Sequence, residues 1–326
     1  MVYDFITIGG ATRDINFFTD QGVLIDNPGD ILRQKLLAFE YGAKIRIDKF
    51  HYNYGGGATN AAVNFTNFGF TVSCLAAIGD DENGKEITKN LKTRKVKTNL
   101  IKTFKNQNSG FSFILISKTG ERIIFTERGS NSLLKIGPKE INILKNTRNI
   151  YISSLSGDWL GILKKIFPLV RKYGIKVSWN PSEAQYASGF DKLAPFLEDT
   201  FIFSVNKDEA IELAVTSLGR KKLNRRFLND EKNLLKIIKN FGPKIAIVTS
   251  GSEGAYAYDG KDFYYQPILK EKKRVDTTGV GDIFNSTFVA GMDLYNGDIK
   301  KALFISAKNT ASKIAHLGAQ NGLINK

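Results

Sequence analysis

Residues 276–292 read DTTGVGDIFNSTFVAGM. A threonine pair and two glycines run into a segment in which Ile283, Phe284, Thr287, Phe288 and Gly291 recur at helical spacing, so the stretch predicts a tight turn opening a helix. A helix N-terminus presents N–H groups without internal partners and carries the positive end of the macrodipole, which favours an anion. Gly279 and Gly281 let the backbone approach that anion closely. Asp282 conflicts with this, because a carboxylate repels a neighbouring anion. A base beside a phosphate chain resolves the conflict: it takes the proton of an attacking hydroxyl while the N–H groups hold the charge on the transferring phosphoryl. An ordinary helix cap, with Asp or Thr satisfying free N–H groups, is the alternative.

A second glycine turn stands at residues 54–69, YGGGATNAAVNFTNFG. Gly56 and Gly57 let a ligand touch backbone there, and Asn60 offers donors and an acceptor to hydroxyls. A packing loop with a capping Asn reads equally well from this segment alone. Asp14, just beyond the β-rich run Tyr3–Ile8 and its Gly9-Gly10 turn, is placed at a strand edge to accept hydrogen bonds from a polyol; a turn-forming Asp is the other reading.

Taken together, DTTGVGD and the GG-x-x-N of residues 56–60 resemble, in order, the two signatures of the ribokinase-like carbohydrate kinases, also called the phosphofructokinase B family. The resemblance covers nearly the whole chain. Val280 is its one departure in the last signature, where the family most often has Ala. It implies an anion hole from the N–H groups of Gly279, Val280, Gly281 and Asp282, with Asp282 as base. Asp14, Gly56, Gly57 and Asn60 would hold the phosphate acceptor, with Arg128 in reach of it. For Asn206 and Glu209 of NKDEA, a capping box and a water-mediated hold on Mg²⁺ predict the same sequence. The family's N-x-x-E motif favours Mg²⁺ at Glu209. TSGSEG, residues 249–254, and a late helix through Ala307, Asn309 and Ala311 flank the adenine in the family, which assigns Asn206, Thr249, Gly251, Gly254, Thr277 and Asn309 to ATP. Gly318-Ala319-Gln320 matches the closing turn. Some members use K⁺ beside the anion hole, with Asp276 and Thr278 here supplying its oxygens.

The rest of the chain bounds this reading. Strand-like runs alternate with helical segments from Asn149 onward, which specifies a mostly parallel sheet with helices on both faces. No Pro-, Gly- or Ser-rich linker divides it. The expectation is therefore a ribokinase-like α/β/α sandwich forming one domain over residues 1–326. Residues 17–47 carry no clear helical period, and FSFILI and RIIFT flank Lys118-Thr119-Gly120 as a hairpin. Segments near 13–50 and 101–127 thus predict a small β lid, which the family resemblance implies would close over the acceptor, and that lid is a candidate homodimer contact.

Residues 79–86, GDDENGKE, match P-loop spacing, but Glu86 stands where Ser or Thr is needed and three acids would fill the phosphate cradle. A turn into a helix over about 83–94 suffices. The net charge of +15 is spread along the chain; its densest cluster, Arg220, Lys221, Lys222, Arg225 and Arg226, reads as a solvated loop, so nucleic acid is not an expected partner. One cysteine, Cys74, excludes an internal disulfide, no early segment reads as a signal peptide, and no apolar run approaches the ~20 residues of a membrane span. A cytoplasmic enzyme without a membrane partner is expected.

The function expected is transfer of the γ-phosphoryl of ATP, with Mg²⁺, to a primary hydroxyl of a sugar such as ribose or fructose. A nucleoside kinase of the adenosine, cytidine or inosine type is the alternative, with Phe17, Phe18, Phe111 and Phe113 as a wall for the base. A non-catalytic sugar or nucleotide sensor is a third reading, against which Asp282 and the N-x-x-E pair argue.

Overall fold

The computed structural model describes residues 2–27, 35–116, 122–219 and 225–325. The apolar runs FITI, VSCL, NIYI, KVSW, IFSVN and IAIVT become parallel strands of one sheet. Its order runs Val72–Leu75, Phe5–Ile8, Asn149–Ile152, Lys176–Trp179, Ile202–Asn206 and Ile245–Thr249, all parallel, and ends in the antiparallel hairpin Ala255–Tyr258 and Phe263–Gln266. Parallel strands covered on both faces need apolar residues at successive positions, which is why these runs do not alternate with polar residues.

Alternate side chains feed two cores. Ile6, Ile8, Ile150, Ile152, Phe203 and Val205 pack on one side with the helices Trp159–Tyr173, Phe190–Leu197, Lys207–Leu218 and Glu231–Asn240. Phe5, Cys74, Tyr151, Ile202 and Ile247 pack on the other side with the helices Gly57–Asn67, Val280–Leu294 and Ile299–Ile314. The period of two along each strand thus produces three layers, the α/β/α sandwich expected. Asp158, Asn206, Asp230 and Asp298 cap the helices that follow them, accepting from the N–H groups of the first turn.

A second sheet has the order Arg122–Glu127, Gly110–Ile116, Thr12–Phe18, Lys49–Gly55. Thr12–Phe18 pairs parallel with Gly110–Ile116 and antiparallel with Lys49–Gly55. Asp14 therefore does not stand at an edge of the main sheet; it lies inside a strand of the second one, opposite Asn53 and Ser112. Asp14, Asn16, Asn53 and Ser112 are buried on one face, while Phe50 at 59% and Tyr52 at 55% are exposed on the other. A further strand pair joins Val23–Asp26 to Lys35–Ala38. FSFILI and RIIFT pair as a hairpin, and the turn Lys118-Thr119-Gly120 between them lies outside the described residues.

In the P-loop look-alike, the Asp81 carboxylate accepts from Gly84 N–H at 2.9 Å and Ser109 N–H at 3.0 Å, capping the helix Glu82–Thr93. Of the basic cluster, Arg220, Lys221 and Lys222 lie outside the described residues, while Arg225 and Arg226 begin a short helix rather than a loop. Among the described residues no helix is long and apolar enough to cross a membrane.

Candidate active site

The glycine turn at 276–282 sits where the helix Val280–Leu294 meets the main sheet. Gly279 caps it with φ of 72°, a left-handed conformation, and a Cβ there would collide with Ala319 of the closing turn. A Cβ at Gly281 would meet nothing within 4 Å, so this face of the helix start is open. Val280 N–H turns back to Thr277 O at 3.3 Å. The next N–H groups of the opening, those of Gly281 and Asp282, precede the first intrahelical bond, which runs from Ile283 N–H to Gly279 O at 3.0 Å.

Asp282 is held from the second glycine turn. Asn60 Nδ2 donates to its Oδ2 at 2.9 Å, Gln320 Nε2 donates to Asn60 Oδ1 at 3.1 Å, and Asn90 Nδ2 donates to Gln320 Oε1 at 2.7 Å. Asn60 is 2% exposed and both of its amide atoms are hydrogen-bonded, which fixes its orientation toward Asp282. Burial pushes the Asp282 carboxyl above its ordinary range, and the Asn60 bond pulls the other way.

Gly56 and Gly57 bring backbone to the same place. Gly56 has φ of 93° and leaves no room for a Cβ against Gly10 O, while a Cβ at Gly57 would collide with Ser153 Oγ and lie 3.1 Å from Asp282 Oδ1. Asp14 Oδ2 abuts Gly55 in the same way. Burial raises the Asp14 carboxyl from 3.8 to about 6, against hydrogen bonds from Thr12 and Ser112, and the charges of Asp276 and Asp282 add to the rise. Two glycine turns and a face of the second sheet therefore close around Asp282.

On the other side of the turn lies a cleft of about 480 Å³. Asn206, Thr249, Gly251, Gly254 and Thr277 line it together with Val280 and Gly281. Pro267, Ile268, Phe284, Ala307 and Ala311 give it apolar walls suited to a flat ring system, and the helix start gives it an anion-binding end.

A family model for the pfkB family carbohydrate kinases matches residues 29–326. The chain belongs to this family. It is a phosphotransferase acting on an alcohol group of a sugar or nucleoside. The ribokinase of Dictyostelium discoideum is 26% identical over 298 residues, covering 86% of this chain and 89% of that one. The bifunctional ribokinase/ribose-5-phosphate isomerase A of Fructilactobacillus sanfranciscensis is 24% identical over 289 residues, and the chain spans 50% of that protein's length. Among solved structures, Arabidopsis thaliana ribokinase complexed with ribose and ATP matches with a TM-score of 0.79 at 18% identity, over 100% of this chain and 96% of that one. Burkholderia thailandensis nucleoside kinase in complex with inosine matches with 0.76 at 14% identity, over 98% and 94%.

Several residues expected at the site are engaged with protein partners. Asn309 does not line the cleft: it is buried, donates to Asn64 Oδ1 and Thr287 Oγ1, both at 2.8 Å, and accepts from Ile324 N–H at 2.9 Å. Its helix offers Ala307, Thr310, Ala311 and Ile314 to the cleft instead. Asn206 and Glu209 form the capping box, with reciprocal bonds of 2.8 and 2.9 Å. Burial pushes the Glu209 carboxyl up to about 7, against the hydrogen bond from Asn206 N–H, and the charges of Asp208, Glu212 and Asp282 add to the rise. Arg128 is exposed, and its Nη1 donates to Ser156 Oγ at 3.2 Å beyond the strand Asn149–Ile152. Phe17, Phe111 and Phe113 fall on the face of the second sheet opposite Asp14, so they do not wall the acceptor space; Phe18 packs edge-on against His51 at 6.2 Å.

The two residues expected at K⁺ stand differently, since Thr278 Oγ1 is buried without a partner among the described residues whereas the Asp276 oxygens are engaged. Asp276 Oδ1 accepts from Thr278 N–H and Oδ2 from Gly318 N–H, each at 2.8 Å, and its main-chain oxygen accepts from Lys313 Nζ at 2.7 Å. Sequence reading also missed Asn16, whose Nδ2 is buried without a partner among the described residues two positions beyond Asp14. The alternation D-I-N was its signal. Lys313 was missed too, although it falls on the inward stripe Ile299, Ala302, Leu303, Ser306 of its helix.

Proposed function

We propose that this pfkB family kinase transfers the γ-phosphoryl group of ATP to a primary hydroxyl of a sugar, with ribose and fructose the leading candidates. The observation that carries the reading is the position of Asp282. It sits at the opened start of a helix, between the apolar-walled cleft and the turn Gly55–Gly57 with Asp14 above it, and Asn60 fixes its carboxylate. ATP fits the cleft with its phosphates toward Gly281. The acceptor hydroxyl then lies between Asp282 and the transferring phosphoryl, Asp282 takes its proton, and the helix-start N–H groups hold the charge that develops. Asp14 and the backbone of Gly56 and Gly57 hold the sugar, and Asn16 is added to them.

Among the described residues no group of three His, Cys, Asp or Glu side chains is placed to hold a metal. The single carboxylate of Glu209 fits Mg²⁺ carried mainly by the phosphate chain and reached through water. When bound, the ion neutralises charge on the phosphates.

Phe17, Phe111 and Phe113 face away from Asp14, which weighs for a sugar over a nucleoside, although Phe18 and His51 share the Asp14 face and leave an aromatic surface there. The exposed Phe50 and Tyr52 face supports pairing of two copies through the second sheet, and a buried lone Cys74 is compatible with a reducing cytoplasm. A panel of sugars and nucleosides scanned for ADP release tests the proposal. Turnover on a sugar above every nucleoside is expected. Turnover confined to nucleosides overturns the acceptor, and ligand-dependent melting without ADP release on any acceptor points to a sensor.

A further inference from the structure

Lys313 is 0% exposed, and it is among the largest fully buried side chains of the protein. Its Nζ donates to Asp276 O at 2.7 Å and lies 3.9 Å from Asp276 Oδ2. The surrounding bonds converge on the same residue. Val275 and Asp276 N–H donate to Ile314 O at 2.9 and 3.2 Å, and Gly318 N–H donates to Asp276 Oδ2 at 2.8 Å. The end of the helix Ile299–Ile314 is thus bound to the first residue of the anion turn through one buried ammonium.

Burying a lysine is unfavourable unless it is paired and hydrogen-bonded, and a hydrophobic residue on this stripe would satisfy packing alone. A monovalent cation at this turn would need the oxygens of Asp276, carry one positive charge, and be shielded from water. Lys313 meets each condition with its own atoms. It also blocks a second cation, because the Asp276 oxygens are engaged and like charges this close repel.

We propose that Lys313 is a built-in substitute for the monovalent cation of the anion turn. It is a positioning residue: through Asp276 it sets the turn that carries Gly281 and Asp282, and its charge adds to the field behind the phosphoryl site. The phosphoryl transfer of the proposed reaction then runs without added K⁺. This rests on the kinase reading for its rate arm only.

Two measurements on the full chain test it, in K⁺ and in choline as the chloride salts. The first is thermal melting without nucleotide or acceptor, which stands apart from any catalytic reading. The wild type is expected to melt at the same temperature in both salts, whereas Lys313→Ala, with its oxygens freed, melts higher in K⁺. The second is turnover. Wild-type rates are expected to agree in the two salts, while Lys313→Ala in choline loses on the order of tenfold to a hundredfold and K⁺ or NH₄⁺ restores part of it. Lys313→Met keeps the volume without the charge and is expected to show the same loss in choline, which packing alone would not produce. Saturable activation or stabilisation of the wild type by K⁺ overturns the proposal, even if no variant folds. Full activity of Lys313→Met in choline overturns it as well.

Discussion

Two helices of this kinase, Gly57–Asn67 and Val280–Leu294, open behind a glycine of positive φ, and their openings carry different residues. They pack together through Asn64, whose Nδ2 donates to Ser286 Oγ at 2.8 Å and Thr287 Oγ1 at 2.9 Å. The first has no acid in its opening turn; the second has Asp282 there. A bare opening suits a neutral polyol, which needs backbone approach and neutral donors. The acid-bearing opening suits a reaction in which a proton leaves as negative charge arrives. On the proposed mechanism a glycine-led helix start serves binding in one place and chemistry in the other, and one amide, Asn60, links the two.

The sharpest way to break the comparison is to give each capping glycine a side chain. Gly279→Ala imposes left-handed strain and a clash with Ala319, which shifts the helix-start donors. We expect kcat to fall by about 10²–10³ with the KM for the acceptor little changed. Gly56→Ala is equally strained but stands on the binding side, so the acceptor KM should rise more than kcat falls. Steady-state kinetics of the two variants on one sugar separate these outcomes; identical profiles would mean the two openings do not divide the work.

Asp14→Asn probes the binding side through stability. The folded carboxyl titrates at about 6 against an ordinary 3.8, so between these values the folded state holds more protons than the unfolded state. Wild-type stability therefore falls as pH rises through that window, by at most about 3 kcal/mol from this group. Asp14→Asn should lose that slope, melt higher than wild type at pH 7, and bind acceptor more weakly. Melting curves across pH 4–7 in the absence of ligand check the sign.

Asn60→Ala has the smallest expected effect. The Asn60 amide favours the charged form of Asp282, so its loss raises that carboxyl further and moves the acid limb of the kcat profile to higher pH. At neutral pH we expect roughly a tenfold loss in kcat, within the range of a single catalytic hydrogen bond. A rise in acceptor KM with an unmoved pH profile would return Asn60 to the role of sugar ligand.

The layers of the main sheet were legible because burial on both faces demands continuous apolar runs, and such runs stand out in FITI, NIYI and IAIVT. The strand Thr12–Phe18 was not, since its polar face, Asp14 and Asn16, is buried by tertiary contacts and its parallel partner lies far along the chain. Glycine turns were legible where only a left-handed residue without a Cβ fits, as at Gly56 and Gly279. Amide roles were not. Asn60 and Asn309 both sit on helices near the site, yet which group each amide meets depends on distant residues, Gln320 and Asn64. Asn206 and Glu209 illustrate the limit from the other side, since the capping box they form has the same spacing as a metal motif.

The central claim is that Asp282 accepts the proton of the acceptor hydroxyl. Asp282→Asn keeps the size and one oxygen of the side chain but cannot take a proton. On the best acceptor of the panel, kcat is expected to fall by about 10²–10⁴ while the KM for ATP stays near its wild-type value. A kcat within a factor of about two of wild type would contradict the account.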